Sequence, residues 1–250
     1  MKQLENKVAV ITGAGSGIGA ATAQLFVAEG AKVVLSDINE SSCRQLAQQL
    51  SDAGAAAYAV KADVSDPLQC EALVAATMAR YGRLDIAFNN AGIGGESNAV
   101  GDMSVAGWNK VIAVNLNSVF YCMKYELEAM AKNGGSIVNM ASILGQVGFG
   151  GAAGYVAAKH GVVGLTQTAA IEYGPKGIRI NVIGPGFIDT PLLSAAGMDE
   201  AAKQQVASQH PIGRLGKAEE VAELVLWLST NKASFVTGAY YAVDGGYLSR

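Results

Sequence analysis

The run Val8-Ala9-Val10-Ile11-Thr12-Gly13-Ala14-Gly15-Ser16-Gly17-Ile18-Gly19 passes from an apolar strand into a glycine-rich turn and on into a helix. Its first four residues are apolar without alternation, as in a strand buried on both faces of a parallel sheet. The helix runs to about Glu29, and Gly30 is placed to end it. A turn entering a helix in this way meets unpaired N–H groups and a positive dipole, a seat for a pyrophosphate. Glycines there let the backbone approach phosphate oxygens with no Cβ in the way. Read from Gly13 the spacing is G-x-x-x-G-x-G rather than G-x-G-x-x-G, and by itself such a run could be only a tight turn.

Working outward, short apolar runs alternate with helical stretches. Lys32-Val33-Val34-Leu35 reads as a second strand, followed by a helix from about Glu40 to Ala53 with Gly54 as its stop. Ala57 to Val60 reads as a third, after which Asp66-Pro67 supplies a helix cap and a first-turn proline. Ile86-Phe88, Ser136-Val138, Ile178-Val182 and Ala239-Val243 continue the series. The expected fold is α/β, a Rossmann-like doubly wound parallel sheet in a single domain over residues 1–250, with ligands bound beyond the carboxyl ends of the strands. Asp37 follows the second strand about 20 residues past the glycines, where a carboxylate grips the adenosine ribose. No cation flanks it (Ser36, Ile38), so NAD(H) is expected over NADP(H). A helix-capping Asp is the plainer alternative.

Tyr155 and Lys159 stand four apart, on one face of a helix, and Ser142 lies thirteen positions upstream. A tyrosine ordinarily keeps its proton until pH ~10, and a nearby ammonium favours the phenolate. The pair reads as a proton donor and acceptor, with Ser142 able to bond a substrate oxygen.

Composition narrows the classes. No run of eighteen apolar residues suggests a membrane span, and no apolar signal-peptide core precedes the first strand, so a cytoplasmic chain is expected. A net charge of -3 leaves no basic patch for nucleic acid. Cys43, Cys70 and Cys122 lack metal spacing, no H-E-x-x-H is present, and no catalytic metal is expected. No serine sits in G-x-S-x-G, against an α/β-hydrolase. Charged residues are 16% against ~25% in typical soluble domains, which points to subunit interfaces. His160 reads as structural, and His210 as either a loop anchor or a substrate contact.

With these residues in order, the chain resembles the short-chain dehydrogenase/reductase family over nearly all its length. Thr12-Gly13 with Gly17-Ile18-Gly19 is similar to the family's cofactor turn, and Asp63-Val64 to its adenine-contacting pair. Asn89-Asn90-Ala91-Gly92 resembles the segment bordering the cofactor, Pro185-Gly186 with Thr190 the segment beside the nicotinamide, and Asp244-Gly245-Gly246 the C-terminal signature. The resemblance implies Asn115, Ser142, Tyr155 and Lys159 as catalytic. It implies cofactor contacts at Gly13, Ser16, Gly17, Ile18, Gly19, Asp37, Ile38, Asp63, Val64, Asn90, Ala91, Gly92, Tyr155, Lys159, Pro185, Gly186, Ile188 and Thr190. In the family, Lys159 lowers the tyrosine pKa and holds the nicotinamide ribose, while Asn115 holds a water in the proton path. A homotetramer built on two long helices and the C-terminal segment is also implied, with which Tyr240-Tyr241 is consistent.

The stretch from about Phe187 to Gly216 breaks the rhythm and reads either as a substrate lid or as a helical insertion packed on the core. The expected pocket wall, Ile93, Leu144, Val147, Phe149, Phe187, Leu192, Leu193 and Met198, is apolar. It favours a compact secondary alcohol or ketone. The stretches ending at Glu96 and Gly216 are similar to members acting on cyclic alcohols such as cyclohexanol. A 3-oxoacyl-carrier-protein reductase, a sugar or polyol dehydrogenase and a non-catalytic dinucleotide sensor are the alternatives.

Overall fold

Strands rich in valine and isoleucine pair side by side in a computed structural model that describes residues 2–195 and 197–249. Among the described residues the sheet is parallel throughout: β1 Val8–Thr12, β2 Lys32–Asp37, β3 Ala57–Lys61, β4 Ile86–Asn89, β5 Gly135–Met140, β6 Ile178–Pro185 and β7 Tyr240–Val243. Their order is β3-β2-β1-β4-β5-β6-β7, so the winding reverses between β1 and β4. Crevices at such a reversal are where dinucleotides sit. The strands β1, β4, β5 and β6 are buried along nearly their whole length. At the edges β3 and β7 are only half-buried, with Tyr58 turned to solvent, so apolar composition there does not mean burial on both faces.

Helices cover both faces. On one side α1 Gly17–Ala28 and α2 Glu40–Asp52 pack with the late helix α9 Ala218–Ser229, through Phe26, Cys43, Leu46, Val221 and Val225. On the other, α3 Pro67–Tyr81, α5 Ser118–Met130 and α6 Ala153–Tyr173 pack through Leu73, Val119, Met123, Leu127, Val162 and Ala169. The punctuation matches the chemistry expected of it. Asp66 caps α3 by accepting the Leu68 N–H at 2.9 Å, and Gly82 ends that helix in the left-handed region at φ 72°.

One part was not legible in the sequence. The helix α4 Val105–Ile112 runs into α5 through a π turn over Ala113–Asn117, and such turns gather at functional sites. The segment 187–216 contains two short helices, α7 Pro191–Ala195 and α8 Glu200–Ser208.

Candidate active site

The glycine turn is folded tightly on itself. A Cβ on Gly19 would lie 2.2 Å from the Gly13 carbonyl oxygen, and one on Gly13 would lie 2.9 Å from the Ala91 Cα. Both glycines are therefore demanded by the chain's own packing as well as by any ligand. Asn90 closes the turn, its Nδ2 donating to the carbonyls of Thr12 at 2.9 Å and Gly13 at 3.1 Å. The Thr12 hydroxyl accepts the N–H groups of Asn90 and Ala91. Beyond the turn, α1 starts at Ser16 with no side-chain cap and no acidic residue in its first turn. Its N-terminal dipole thus faces outward uncompensated, and the residues present fit a dinucleotide pyrophosphate.

Asp37 ends β2 beside this turn. Its Oδ2 accepts the Gly15 N–H at 3.0 Å and its Oδ1 the Asn39 N–H at 2.9 Å. It is Asn39, not Asp37, that caps α2, so the capping alternative fails. Sheet register brings Lys61 opposite Asp37, a cation the linear sequence hides, yet among the described residues the two form no ion pair. Asp63 is anchored by Ser65, whose N–H and hydroxyl both donate to its Oδ1.

The reacting groups come from three elements. Tyr155 and Lys159 stand one turn apart on α6, with the ammonium 5.4 Å from the phenol ring centroid. Lys159 is buried and its Nζ donates to the Met140 carbonyl at 2.8 Å. Burial without a carboxylate partner pushes its pKa down from 10.5 to about 7. Burial likewise pushes the Tyr155 phenol above its ordinary value, while the hydrogen bond with Ser142 works the other way.

Ser142 follows β5 and caps a short turn over Ile143–Gly145, its Oγ accepting the Leu144 N–H at 3.2 Å. Its main-chain carbonyl is gripped from β7 by the Tyr240 hydroxyl at 3.0 Å. That bond passes over Gly184, where a Cβ would fall 1.8 Å from the same hydroxyl. No sequence signal marked Tyr240 for this role. Tyr241 stacks edge-on against Trp227 within the chain.

Asn115 lies buried in the π turn. Its Oδ1 accepts the Ile93 N–H at 2.8 Å and its Nδ2 donates to the Ile93 carbonyl at 2.7 Å. The side chain is spent on fixing the 89–93 segment, which leaves any water-holding role to its main chain. Ile93 and Val147, expected in the pocket wall, lie outside the cavity's lining.

One cavity gathers the rest. It is lined by Ser142, Tyr155 and Lys159, by Asn90, Gly92, Pro185, Gly186, Ile188 and Thr190 on the expected cofactor side, and by Leu144, Phe149, Phe187, Leu192, Leu193 and Met198 opposite. Ile18, expected at the cofactor, joins the wall, as do Gly94 from the stretch ending at Glu96 and Ile143 and Ala152, which were not singled out. Gly13, Ser16, Gly17, Gly19, Asp37, Ile38, Asp63, Val64 and Ala91 lie outside that lining, at or after the carboxyl ends of β1, β2, β3 and β4. Among the described residues no group of side chains could hold a metal ion. No helix is long and apolar enough to cross a membrane.

A serine, a tyrosine and a lysine meeting beside a dinucleotide turn on a doubly wound sheet define a class of redox enzyme, and the comparisons agree. A family model described as enoyl-(acyl carrier protein) reductase matches residues 13–248, and the chain belongs to the short-chain dehydrogenase/reductase family of oxidoreductases. It is 50% identical over 249 residues to the cyclohexanol dehydrogenase of Acinetobacter sp. (strain SE19), covering 99% of this chain and 97% of that one. It is 46% identical to the cis-4-hydroxycyclohexanecarboxylate dehydrogenase of Sinomonas cyclohexanicum, with 96% of each chain covered. Among solved structures, levodione reductase superposes with a TM-score of 0.96 at 40% identity, covering 98% of this chain and 99% of that one.

Proposed function

We propose that the chain is an NAD(H)-dependent dehydrogenase interconverting a compact cyclic secondary alcohol and its ketone. The observation that carries this reading is a cavity that brings Ser142, Tyr155 and Lys159 together with the apolar side chains of Leu144, Phe149, Phe187, Leu192, Leu193 and Met198. A carbinol oxygen has hydrogen-bond partners at Ser142 and Tyr155, while the ring carbons meet Leu144, Phe149, Phe187 and Leu192. That wall offers nothing to the hydroxyls of a sugar. When bound, the nicotinamide dinucleotide supplies the hydride acceptor or donor. The chain does the proton work: Tyr155 Oη takes or gives the hydroxyl proton, Ser142 Oγ orients the oxygen, and Lys159 holds the cofactor ribose. The main chain of Asn115 holds the water through which the proton reaches solvent. General acid–base assistance of this kind is worth roughly 10²–10⁴-fold.

NAD(H) is favoured over NADP(H) because the Asp37 carboxylate would repel a 2′-phosphate, while its unused lone pairs suit ribose hydroxyls. Phe187 to Gly216 serves as the substrate cover, since α7 contributes Leu192 and Leu193 to the cavity. A homotetramer is supported by half-exposed Phe120 on α5 and by Ile171, 79% exposed on α6, apolar residues that a lone subunit leaves in water. A cytoplasmic location is supported by three buried, unlinked thiols.

The test is an assay of purified protein on cyclic ketones, acetoacetyl thioesters and polyols with NADH and with NADPH. Turnover of cyclic ketones with NADH is expected. Preference for the thioester with NADPH would replace this reading with a 3-oxoacyl-carrier-protein reductase, and NADH binding without turnover would replace it with a sensor. Light scattering on the eluted protein reads the assembly.

A further inference from the structure

His210 stands where three parts of the chain converge. It follows the C-terminal end of α8, and its Nδ1 lies 2.9 Å from the Val206 carbonyl oxygen. A carbonyl can only accept, so Nδ1 carries the proton and the neutral ring presents Nε2 as an acceptor. Nε2 receives the Phe187 N–H at 3.2 Å. Phe187 comes directly after Pro185-Gly186, the end of β6 that lines the cavity. The approach is close enough that a Cβ on Gly186 would lie 2.7 Å from Nε2. The imidazole also meets the Phe187 ring edge-on at 5.8 Å and the Tyr247 ring at 5.4 Å. The Phe187 ring in turn touches Phe149 across the cavity wall at 6.1 Å. With 3% of its surface exposed, the ring is a buried imidazole whose nitrogens both have partners.

The charged groups around it pair elsewhere. Arg214 pairs with Glu220, Lys203 with Glu200 and Asp189, and the Asp244 carboxylate accepts the N–H groups of Gly246 and Leu248. Among the described residues none of these groups forms an ion pair with the imidazole. Protonation of Nε2 would set a hydrogen against the Phe187 N–H and remove the bond.

We propose that His210 is a positioning residue whose neutral Nδ1–H form fixes Pro185–Phe187, and with it the Phe187 wall, against the reacting cavity. The inference rests on the dehydrogenase reading for its kinetic consequence, though not for its geometry. His210→Phe keeps the aromatic packing and deletes the acceptor. It is expected to raise KM for a cyclic alcohol about tenfold, the effect of one net hydrogen bond, with kcat changed far less. His210→Gln offers an amide oxygen in place of Nε2. It should restore most of that loss. A His210→Phe enzyme with unchanged KM, or a His210→Gln enzyme no better than His210→Phe, would overturn the proposal. ¹⁵N NMR of the wild-type imidazole reads the tautomer without any turnover. An Nδ1–H signal is expected, and an Nε2–H signal sinks the proposal even if neither variant folds. If the tautomer is as expected but wild type reduces no carbonyl, the reading of function fails and the latch geometry stands.

Discussion

The Tyr240 hydroxyl donates to the Ser142 main-chain carbonyl across 3.0 Å, tying the last strand of the sheet to the serine that faces the cavity. The phenol from β7 adds to the bonds with Leu144 and Tyr155 that hold this serine. Tyr240→Phe removes that bond while keeping the ring. A loss of about 1 kcal/mol in stability and a several-fold fall in kcat/KM are expected, read from urea midpoints and steady-state rates. Gly184→Ala should be worse than Tyr240→Phe, because its methyl collides with the hydroxyl rather than merely deleting it.

Tyr155→Phe tests the proton transfer itself. The ring and its packing survive, so cofactor affinity and melting temperature should change little. The rate kcat should fall roughly 10²–10⁴-fold. Wild-type turnover in this variant would remove Tyr155 from the mechanism.

Asp37→Ala addresses cofactor choice. It deletes the acceptor for Gly15 and Asn39 and the charge that would oppose a 2′-phosphate. Hydrogen bonds to a charged group are worth about 1.5–3 kcal/mol, so NADH affinity should drop by about tenfold or more while NADPH gains relative to it. Fluorescence titration with both cofactors measures the ratio.

Two buried groups give stability opposite pH slopes. Lys159 is lowered from 10.5 to about 7, so between those values the unfolded chain binds the extra proton and stability rises with pH. Below about 7 its burial cost is present in full. Glu126, buried on α5 and accepting from Asn89 at 3.0 Å, is raised from 4.5 to about 7. Across that window the folded chain binds the extra proton, and stability falls as pH rises. Lys159→Met should flatten the alkaline slope and Glu126→Gln the acid one, measured by urea denaturation across pH. A variant that leaves its own slope unchanged refutes that assignment.

The thiols should be inert in the native protein. Cys43 is pushed up to about 12 by burial, with the Asp37 charge adding to it, and Cys122 is raised by its bond with Cys70 and by burial. A thiol reagent at neutral pH is expected to label none until denaturant is added, when all three react.

Much of this site could be read before any coordinates. The glycine turn, Asp37, the Tyr155–Lys159 pair and most of the apolar wall are local patterns, and local patterns carry their own geometry: four residues make a helical turn wherever they occur. Ile93 is absent from the cavity lining although its neighbours Gly92 and Gly94 belong to it, since an apolar residue beside a site segment does not by itself say which way its side chain points. The π turn around Asn115 was invisible for a similar reason, since its hydrogen bonds differ from those of an α-helix by one residue in register.

From the chain alone came the strand–helix alternation, the parallel sheet and the candidates for proton handling, because periodicity and short spacings are written along the backbone. Tertiary structure decided the rest: that Tyr240 holds Ser142, that Lys61 lies opposite Asp37, that His210 bonds Phe187, and that burial pushes Lys159 and Tyr155 in opposite directions. These depend on which distant segments meet and on how much water their meeting excludes, and neither quantity is encoded at any one position.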